Sequence, residues 1–217
     1  MTLLLPLGRL LTVLDLATPG HPDPRSAHGY VQVLGNPVGL SGAALHLWSA
    51  CHGPFDAPGP WDRDHAATRA VAWGLDPADV AAGWTELDTG GLVVDLVDDV
   101  DGRRAWARSH TLHPLVPGLG EVPGAPGLHH LGLPGVPALP LVQVSRVLRD
   151  VCAWGPLFAD VWADVDWHAA GYRDVGADEP RLTDPDLLLA DLVASLPALL
   201  STRAAHLDPS PTAGGAP

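Results

Sequence analysis

Residues 74–97 read GLDPADVAAGWTELDTGGLVVDLV, and this stretch decides the predicted fold. Asp76 is a favourable N-cap, and Pro77 fits the first helical position, where its missing N–H costs nothing. The adjacent glycines that follow predict the end of the helix, with one of them left-handed. Apolar residues then predict a strand over residues 92–97. The apolar positions that share one face of the predicted helix are Val80, Trp84 and Leu87.

Two further helices are predicted before this stretch. The first covers residues 41–53 and begins at Ser41, a favourable N-cap. The second begins at Asp62 or Asp64, runs to Trp73 and ends before a glycine. Only Gly74 and Leu75 separate the second helix from the cap of the third, so the chain must change direction abruptly, as in a helix-turn-helix.

A β-hairpin is predicted after the third helix. Asp101-Gly102 is a dipeptide typical of tight hairpin turns. Residues 104–112 then alternate between two faces, which predicts the returning strand. The first face of that strand would carry Trp106, Arg108 and His110.

The order helix, helix, turn, helix, two-stranded ribbon resembles the winged helix-turn-helix superfamily. The resemblance covers residues 40–112, about a third of the chain, and rests on that order together with the run Trp84-x-x-Leu87-x-x-Gly90-Gly91-Leu92-Val93. It implies an α+β protein whose N-terminal domain is winged-helix-like. In such a domain the third helix is the recognition helix and the hairpin is the wing.

The remaining segments give the predicted domain organisation. Residues 1–16 are expected to form a strand or short helix and residues 30–34 a strand, with a turn at Asn36-Pro37, all within a domain of residues 1–113. Residues 114–140 hold seven prolines and six glycines, which indicates a linker or surface loop. Residues 141–207 predict a mainly α-helical part, and residues 208–217 a disordered tail.

The composition constrains the partner and the compartment. The formal net charge is −13, which disfavours nucleic acid and anionic membranes as partners. The chain has no lysine and no isoleucine, as expected of a high-GC bacterial coding sequence, so its glycines and prolines are weaker evidence for turns than usual. No stretch reaches membrane-spanning length. The two cysteines lie in apolar helical patterns, so we expect buried thiols in a cytoplasmic protein.

The charges near the predicted recognition helix separate two functions. That helix carries three acids and offers only Thr85 and Thr89 as neutral polar groups that could contact a base. The acids are Asp79, Glu86 and Asp88. Three carboxylates facing phosphates would offset much of what three wing arginines gain. A regulator that binds DNA through Arg103, Arg104 and Arg108 is therefore the alternative, and a protein or peptide partner is favoured.

The favoured function is a non-enzymatic module for protein or peptide recognition, or for regulation. The resemblance extends to small bacterial modules that hold a peptide along an edge strand, which requires a free β-edge and an apolar groove rather than positive charge. Residues 30–34, the wing and the third helix could supply both. Trp61 and Trp167 are predicted as exposed contacts, and the apolar final helix predicts either deep burial or a homodimer seam.

A small hydrolase or a metal-binding protein is a third alternative. His110-x-x-His113 and His129-His130 flank the Pro/Gly-rich segment, but neither cysteine lies near these histidines, as a structural zinc site usually requires. The chain also lacks a phosphate-binding glycine loop with a lysine and the common hydrolase motifs. We therefore expect no catalytic, cofactor-binding or metal-ligating residues.

Overall fold

The computed structural model describes residues 2–15, 27–53, 61–135 and 137–212. The protein is α+β and divides into two compact units, Met1–Val97 and Asp98–Pro217. The division falls earlier in the chain than the predicted boundary after His113. Residues 98–113 group with the second unit because their helix and strand pack against its helices and its last strand.

The first unit contains two small antiparallel sheets. Their strands are β1 (Thr2–Pro6), β2 (Arg9–Asp15), β3 (Ala27–Val33), β4 (Asn36–Leu40) and β5 (Val93–Val97). One is a three-stranded sheet in the order β2–β3–β4, and the other pairs β1 with β5. Leu34 and Gly35, with φ of 50° and 82°, form the tight turn between β3 and β4. The turn predicted at Asn36-Pro37 is wrong, because both residues lie in β4.

Three helices lie between β4 and β5, as the sequence predicts. They are α1 (Gly42–Ala50), α2 (Arg63–Ala72) and α3 (Val80–Thr89), and a 3₁₀ turn (Pro77–Asp79) leads into α3. The side chains of Ser41, Asp62 and Asp76 accept hydrogen bonds from backbone N–H groups at the starts of α1, α2 and the 3₁₀ turn that leads into α3, which confirms the predicted caps. Gly91 adopts φ of 60°, as predicted for the helix end. Trp48 and Leu87 are fully buried in the core that α1 and α3 share.

The predicted wing is wrong. Residues 104–109 belong to a helix, α4 (Val100–Ser109), and β5 pairs with β1 rather than with a returning strand. Asp99 caps α4 by accepting a hydrogen bond from the N–H of Gly102 at 2.7 Å. The Asp-Gly dipeptide therefore lies in the first turn of a helix, and Trp106 and Ala107 form its buried face.

The second unit combines five helices, α4 included, with five strands among its described residues. A sheet in the order β7–β8–β9 and the pair β6–β10 are both antiparallel. The strands are β6 (His110–Pro114), β7 (Gly118–Glu121), β8 (Leu128–Leu133), β9 (Leu139–Ser145) and β10 (Ala205–Pro209). The helices after α4 are α5 (Arg146–Trp154), α6 (Val161–Asp174), α7 (Pro180–Thr183) and α8 (Pro185–Ser201).

Three sequence predictions change in this unit. Residues 114–140 are not a linker, because they contain β7, β8 and the start of β9. The predicted tail is ordered as far as residue 212, since β10 runs to Pro209 and Ser210 is buried; residues 213–217 lie outside the described residues. The broad apolar arc of α8 is buried within the unit, which accounts for its composition without a dimer seam.

None of the helices in the described part of the chain combines the length and the apolar character that a membrane crossing requires.

Candidate functional site

The edge strand β4 offers unpaired backbone groups. Among the described residues it pairs with β3 alone, in an unbroken antiparallel register from Asn36 to Leu40. In a hairpin with a two-residue turn, the residues that flank the turn are hydrogen-bonded to each other, and the bonding then alternates along the strand. The pairs Gln32–Pro37 and Tyr30–Gly39 are therefore the non-hydrogen-bonded ones. The backbone groups of Pro37 and Gly39 point away from β3.

Three such groups remain on this edge: the carbonyl oxygen of Pro37 and both the N–H and the carbonyl oxygen of Gly39. Pro37 has no N–H, so it fits only an outward position in an edge strand. The Tyr30 side chain of β3 lies across from Gly39, and a Cβ at Gly39 would stand 3.5 Å from the Tyr30 ring. Tyr30 is 39% exposed. An added strand would therefore meet backbone bonding groups beside an exposed aromatic ring.

Helix α3 lies beside the C-terminal end of β4. The Glu86 carboxylate accepts hydrogen bonds from the backbone N–H of Ser41 at 2.8 Å and from the Ser41 hydroxyl at 2.6 Å. Gly83, one turn earlier, lets α3 approach α1, since a Cβ there would lie 3.2 Å from the carbonyl carbon of Ala43. The edge strand, α1 and α3 are thereby fixed relative to one another.

The opposite edge of this sheet is irregular. The pairing of β2 with β3 shifts register between Leu10 and Thr12, which is a β-bulge. Bulges bend a strand and interrupt its row of bonding groups, so they disfavour the addition of another strand. Of the two edges, β4 is the one suited to pairing.

The three arginines predicted on the wing lie on α4, in the second unit. Arg103 pairs with Asp98 at 2.6 Å, and Arg104 forms a bidentate ion pair with Asp186. Arg104 and Arg108 also lie over the ring of Trp162, with 5.5 and 5.2 Å between guanidinium carbon and ring centroid. Two of these three arginines, Arg103 and Arg104, therefore form ion pairs with carboxylates of their own unit.

Three further predicted contact residues, Thr85, Thr89 and Trp61, lie in the first unit. Thr85 and Thr89 are exposed on α3, and the Thr85 hydroxyl donates to the carbonyl of Ala81 at 2.9 Å. Trp61 is half-buried against the core rather than an exposed contact, and its indole N–H donates to the carbonyl of Ala50 at 3.0 Å. The predicted set of six residues is thus divided between the two units.

The acids of α3 are partly neutralised. Asp88 and Asp95 both bind the guanidinium of Arg63, at 2.8 Å for the closest N–O pair of each, and these two acids raise the pKa of Arg63. Glu86 is held by Ser41, as described above. The net repulsion that α3 offers to a polyanion is therefore smaller than three free carboxylates would give.

Among the described residues, the histidines and cysteines do not form a recognisable reactive centre. His113 stacks on His206, and the pair lies near Asp208; His110 is buried, and burial lowers its pKa. Burial raises the pKa of both thiols, that of Cys152 to about 12, so neither is a thiolate at neutral pH. No group of three or more His, Cys, Asp or Glu side chains placed to hold a metal ion occurs in the described ranges.

Sequence reasoning missed the residues that define the edge. Pro37 in a strand pattern is a usable signal, because proline within a sheet is confined to edges and bulges. The Ser41–Glu86 contact joins residues far apart in the chain and carries no local signal.

No protein-family model matches the chain, and neither a curated protein nor a solved structure matches it. The winged-helix resemblance therefore stays a prediction.

Proposed function

We propose that this protein is a peptide-recognition module, and that an extended segment of its partner adds to the sheet along β4. The observation that carries the proposal is the regular edge from Asn36 to Leu40, which pairs with β3 alone in the described part of the chain and whose outward groups sit at Pro37 and Gly39. Strand addition takes its affinity from main-chain hydrogen bonds and its specificity from the side chains on either side.

The edge can form three hydrogen bonds with one added strand. The N–H of Gly39 donates one of these bonds, and the carbonyl oxygens of Gly39 and Pro37 each accept one from the added strand. At about 0.5–1.5 kcal/mol each, they contribute about 1.5–4.5 kcal/mol. The Tyr30 ring supplies an adjacent apolar surface worth about 0.5–1.5 kcal/mol more, so we expect a short peptide bound in this way to have an affinity in the millimolar range.

The charge distribution supports a peptide rather than a polyanion. Affinity for nucleic acid comes mainly from cations that face phosphates. In the first unit, the Arg63 guanidinium is bound by Asp88 and Asp95, and Arg9 donates to Gln32 at 2.7 Å. A strand-adding partner needs no such cations.

Random-sequence peptides displayed on phage provide the test. The protein is used as bait, and the enriched peptides are synthesised and titrated by calorimetry against the wild type, Gly39→Pro and Gly39→Ala. Proline removes the outward N–H and places its ring where the added strand would lie, so we expect at least about tenfold weaker binding. Alanine keeps the N–H, and its Cβ would make an ordinary 3.5 Å contact with Tyr30.

Gly39→Ala is therefore the matched control and should keep the wild-type affinity within about threefold. Because the Gly39 N–H points away from β3, proline leaves the β3–β4 ladder intact, which the far-UV circular dichroism spectrum checks. Enriched peptides that bind both variants equally would refute strand addition at β4. Salt-sensitive binding of random duplex DNA at about 50 mM salt, with no peptide enriched, would point to a nucleic-acid partner instead.

A further inference from the structure

The second unit contains a cavity of about 330 Å³ between α5 and α6, which is widely open to solvent. Its volume lies at the lower end of the range typical of small-molecule sites. The wall formed by α5 includes Asp150 and Trp154, and the remainder comes from α6 and the residue after it. These lining residues are Trp167, His168, Gly171, Tyr172 and Val175.

Aromatic rings dominate the wall. The indoles of Trp154 and Trp167 lie 6.3 Å apart between centroids, with their planes at 31°. Both are unusually open for tryptophan, with 48% and 55% of their surface exposed. Their separation is too short for a third ring to insert between them, so the two indoles form one tilted aromatic surface. The predicted exposure of Trp167 is confirmed, and its role as a contact stays a prediction.

A buried polar pair lies beside these rings. Asp164 and His168 are one helical turn apart on α6, with Asp164 Oδ1 3.3 Å from His168 Nε2. Both atoms are buried, and neither has a well-formed hydrogen bond within the described residues. Burial raises the pKa of Asp164, and His168 opposes that shift.

The charged group at the cavity is the carboxylate of Asp150. One of its oxygens is bound by the guanidinium of Arg149, at 2.9 Å from Nε. The site therefore has negative ring faces and one partly compensated carboxylate. A cation is attracted by both, whereas an anion is repelled by both.

We propose that this cavity binds a small alkylated ammonium ion, held against the faces of Trp154 and Trp167 with Asp150 as its counter-ion. The lining of the cavity favours an alkylated ammonium over a primary ammonium. A primary ammonium has three donors and loses strong hydration on entry, and this lining offers few acceptors to replace the water. An alkylated ammonium is weakly hydrated and presents methyl groups to the rings, which is the arrangement that aromatic cages use.

Choline and its neutral isostere 3,3-dimethyl-1-butanol provide the test, since the two differ in charge but not in shape. Each is titrated into the full chain while its methyl proton signal is followed by NMR, because protons over an aromatic face shift upfield. We expect choline to bind with a millimolar dissociation constant and its isostere to bind about fivefold or more weakly.

Trp167→Leu should weaken choline binding at least about threefold and reduce the upfield shift. Trp73→Leu is the matched control, because Trp73 is 47% exposed but lies in the other unit. It should leave choline binding unchanged. Thermal unfolding of each variant checks that the fold is kept.

Three results would overturn the proposal. Equal binding of the neutral isostere would make the cavity a purely apolar site. A choline signal unmoved up to about 20 mM would mean that no such site exists. If Trp73→Leu and Trp167→Leu weakened choline binding equally, choline would not be bound at this cavity. The outcome is independent of peptide binding at β4, since the two sites are in different units.

Discussion

Replacing Gly155 by alanine tests the contact between the end of α5 and strand β6. Gly155 is buried, and its φ of −43° and ψ of −42° are in the helical region, so alanine meets no backbone strain there. A Cβ at this position would overlap the carbonyl oxygen of Leu112 and lie 3.4 Å from the carbonyl carbon. The obstacle is backbone rather than a side chain that could rotate away, so α5 or β6 must shift.

The expected cost follows from these contacts. Forcing an extra methyl group into a close-packed site costs about 1–3 kcal/mol. Alanine also lowers the conformational entropy of the unfolded chain, which raises the free energy of unfolding by about 0.4–1 kcal/mol. The net prediction for Gly155→Ala is a free energy of unfolding lowered by about 1–2 kcal/mol.

Gly171→Ala is the matched control. Gly171 lies inside α6 of the same unit, and no heavy atom outside its own helix backbone lies within 4 Å of a Cβ built there. Alanine should stabilise this helix by about 0.5–1 kcal/mol. The two variants should therefore differ by about 2 kcal/mol, or about 1 M in urea midpoint for an m-value of about 2 kcal/mol per M.

Urea titrations followed by circular dichroism and tryptophan fluorescence measure this difference. If Gly155→Ala unfolds at the wild-type urea concentration or above it, the close approach of Gly155 to Leu112 is wrong. If both variants lose stability equally, the effect is not steric.

Two further predictions concern buried ionisable groups. The thiols of Cys51 and Cys152 are buried with raised pKa values, so they should react with a disulfide reagent at pH 8 only as fast as the protein unfolds; rapid labelling of either thiol in the native protein would contradict this. For Asp164 the pKa is raised in the folded state, so folding favours the protonated acid. Its contribution is complete below the unfolded pKa and is lost as the pH rises towards the folded pKa. The stability of the wild type relative to Asp164→Asn should therefore fall between pH 4 and pH 7 in urea titrations, and a constant or rising difference would refute the raised pKa.

The helices of the first unit could be predicted because their signals are local. Ser41, Asp62 and Asp76 each precede a helix and bond to its first free N–H groups, an interaction that spans only two or three residues. An N-cap followed by an apolar stripe is therefore readable from the chain alone.

The prediction of the wing is wrong because the same residues are typical of two different structures. Asp-Gly is typical of a hairpin turn, but Asp99 three residues before Gly102 is also a helix cap, and the cap forms here. The pairing of β1 with β5 joins Thr2 to Val97, and nothing local indicates which distant strand completes such a pair. Register over that separation is set by tertiary packing.

The candidate edge was only half visible in the sequence. The sequence predicts the strand at residues 30–34, but it predicts a turn at the start of its partner β4 because Asn36-Pro37 is a common turn dipeptide. The same proline is in fact evidence for an edge. The strands of residues 114–140 are not predicted for a similar reason. The glycines and prolines of this segment, which codon usage enriches, favour a linker.

The bulge in β2 has a consequence for stoichiometry. A sheet with two regular edges can accept a neighbour on each side, and identical copies can then join head to tail into open filaments. Because the extra residue Leu11 interrupts the regular pairing of β2, this sheet has a single competent side, so it should take up one added strand and chain growth through this sheet should stop there.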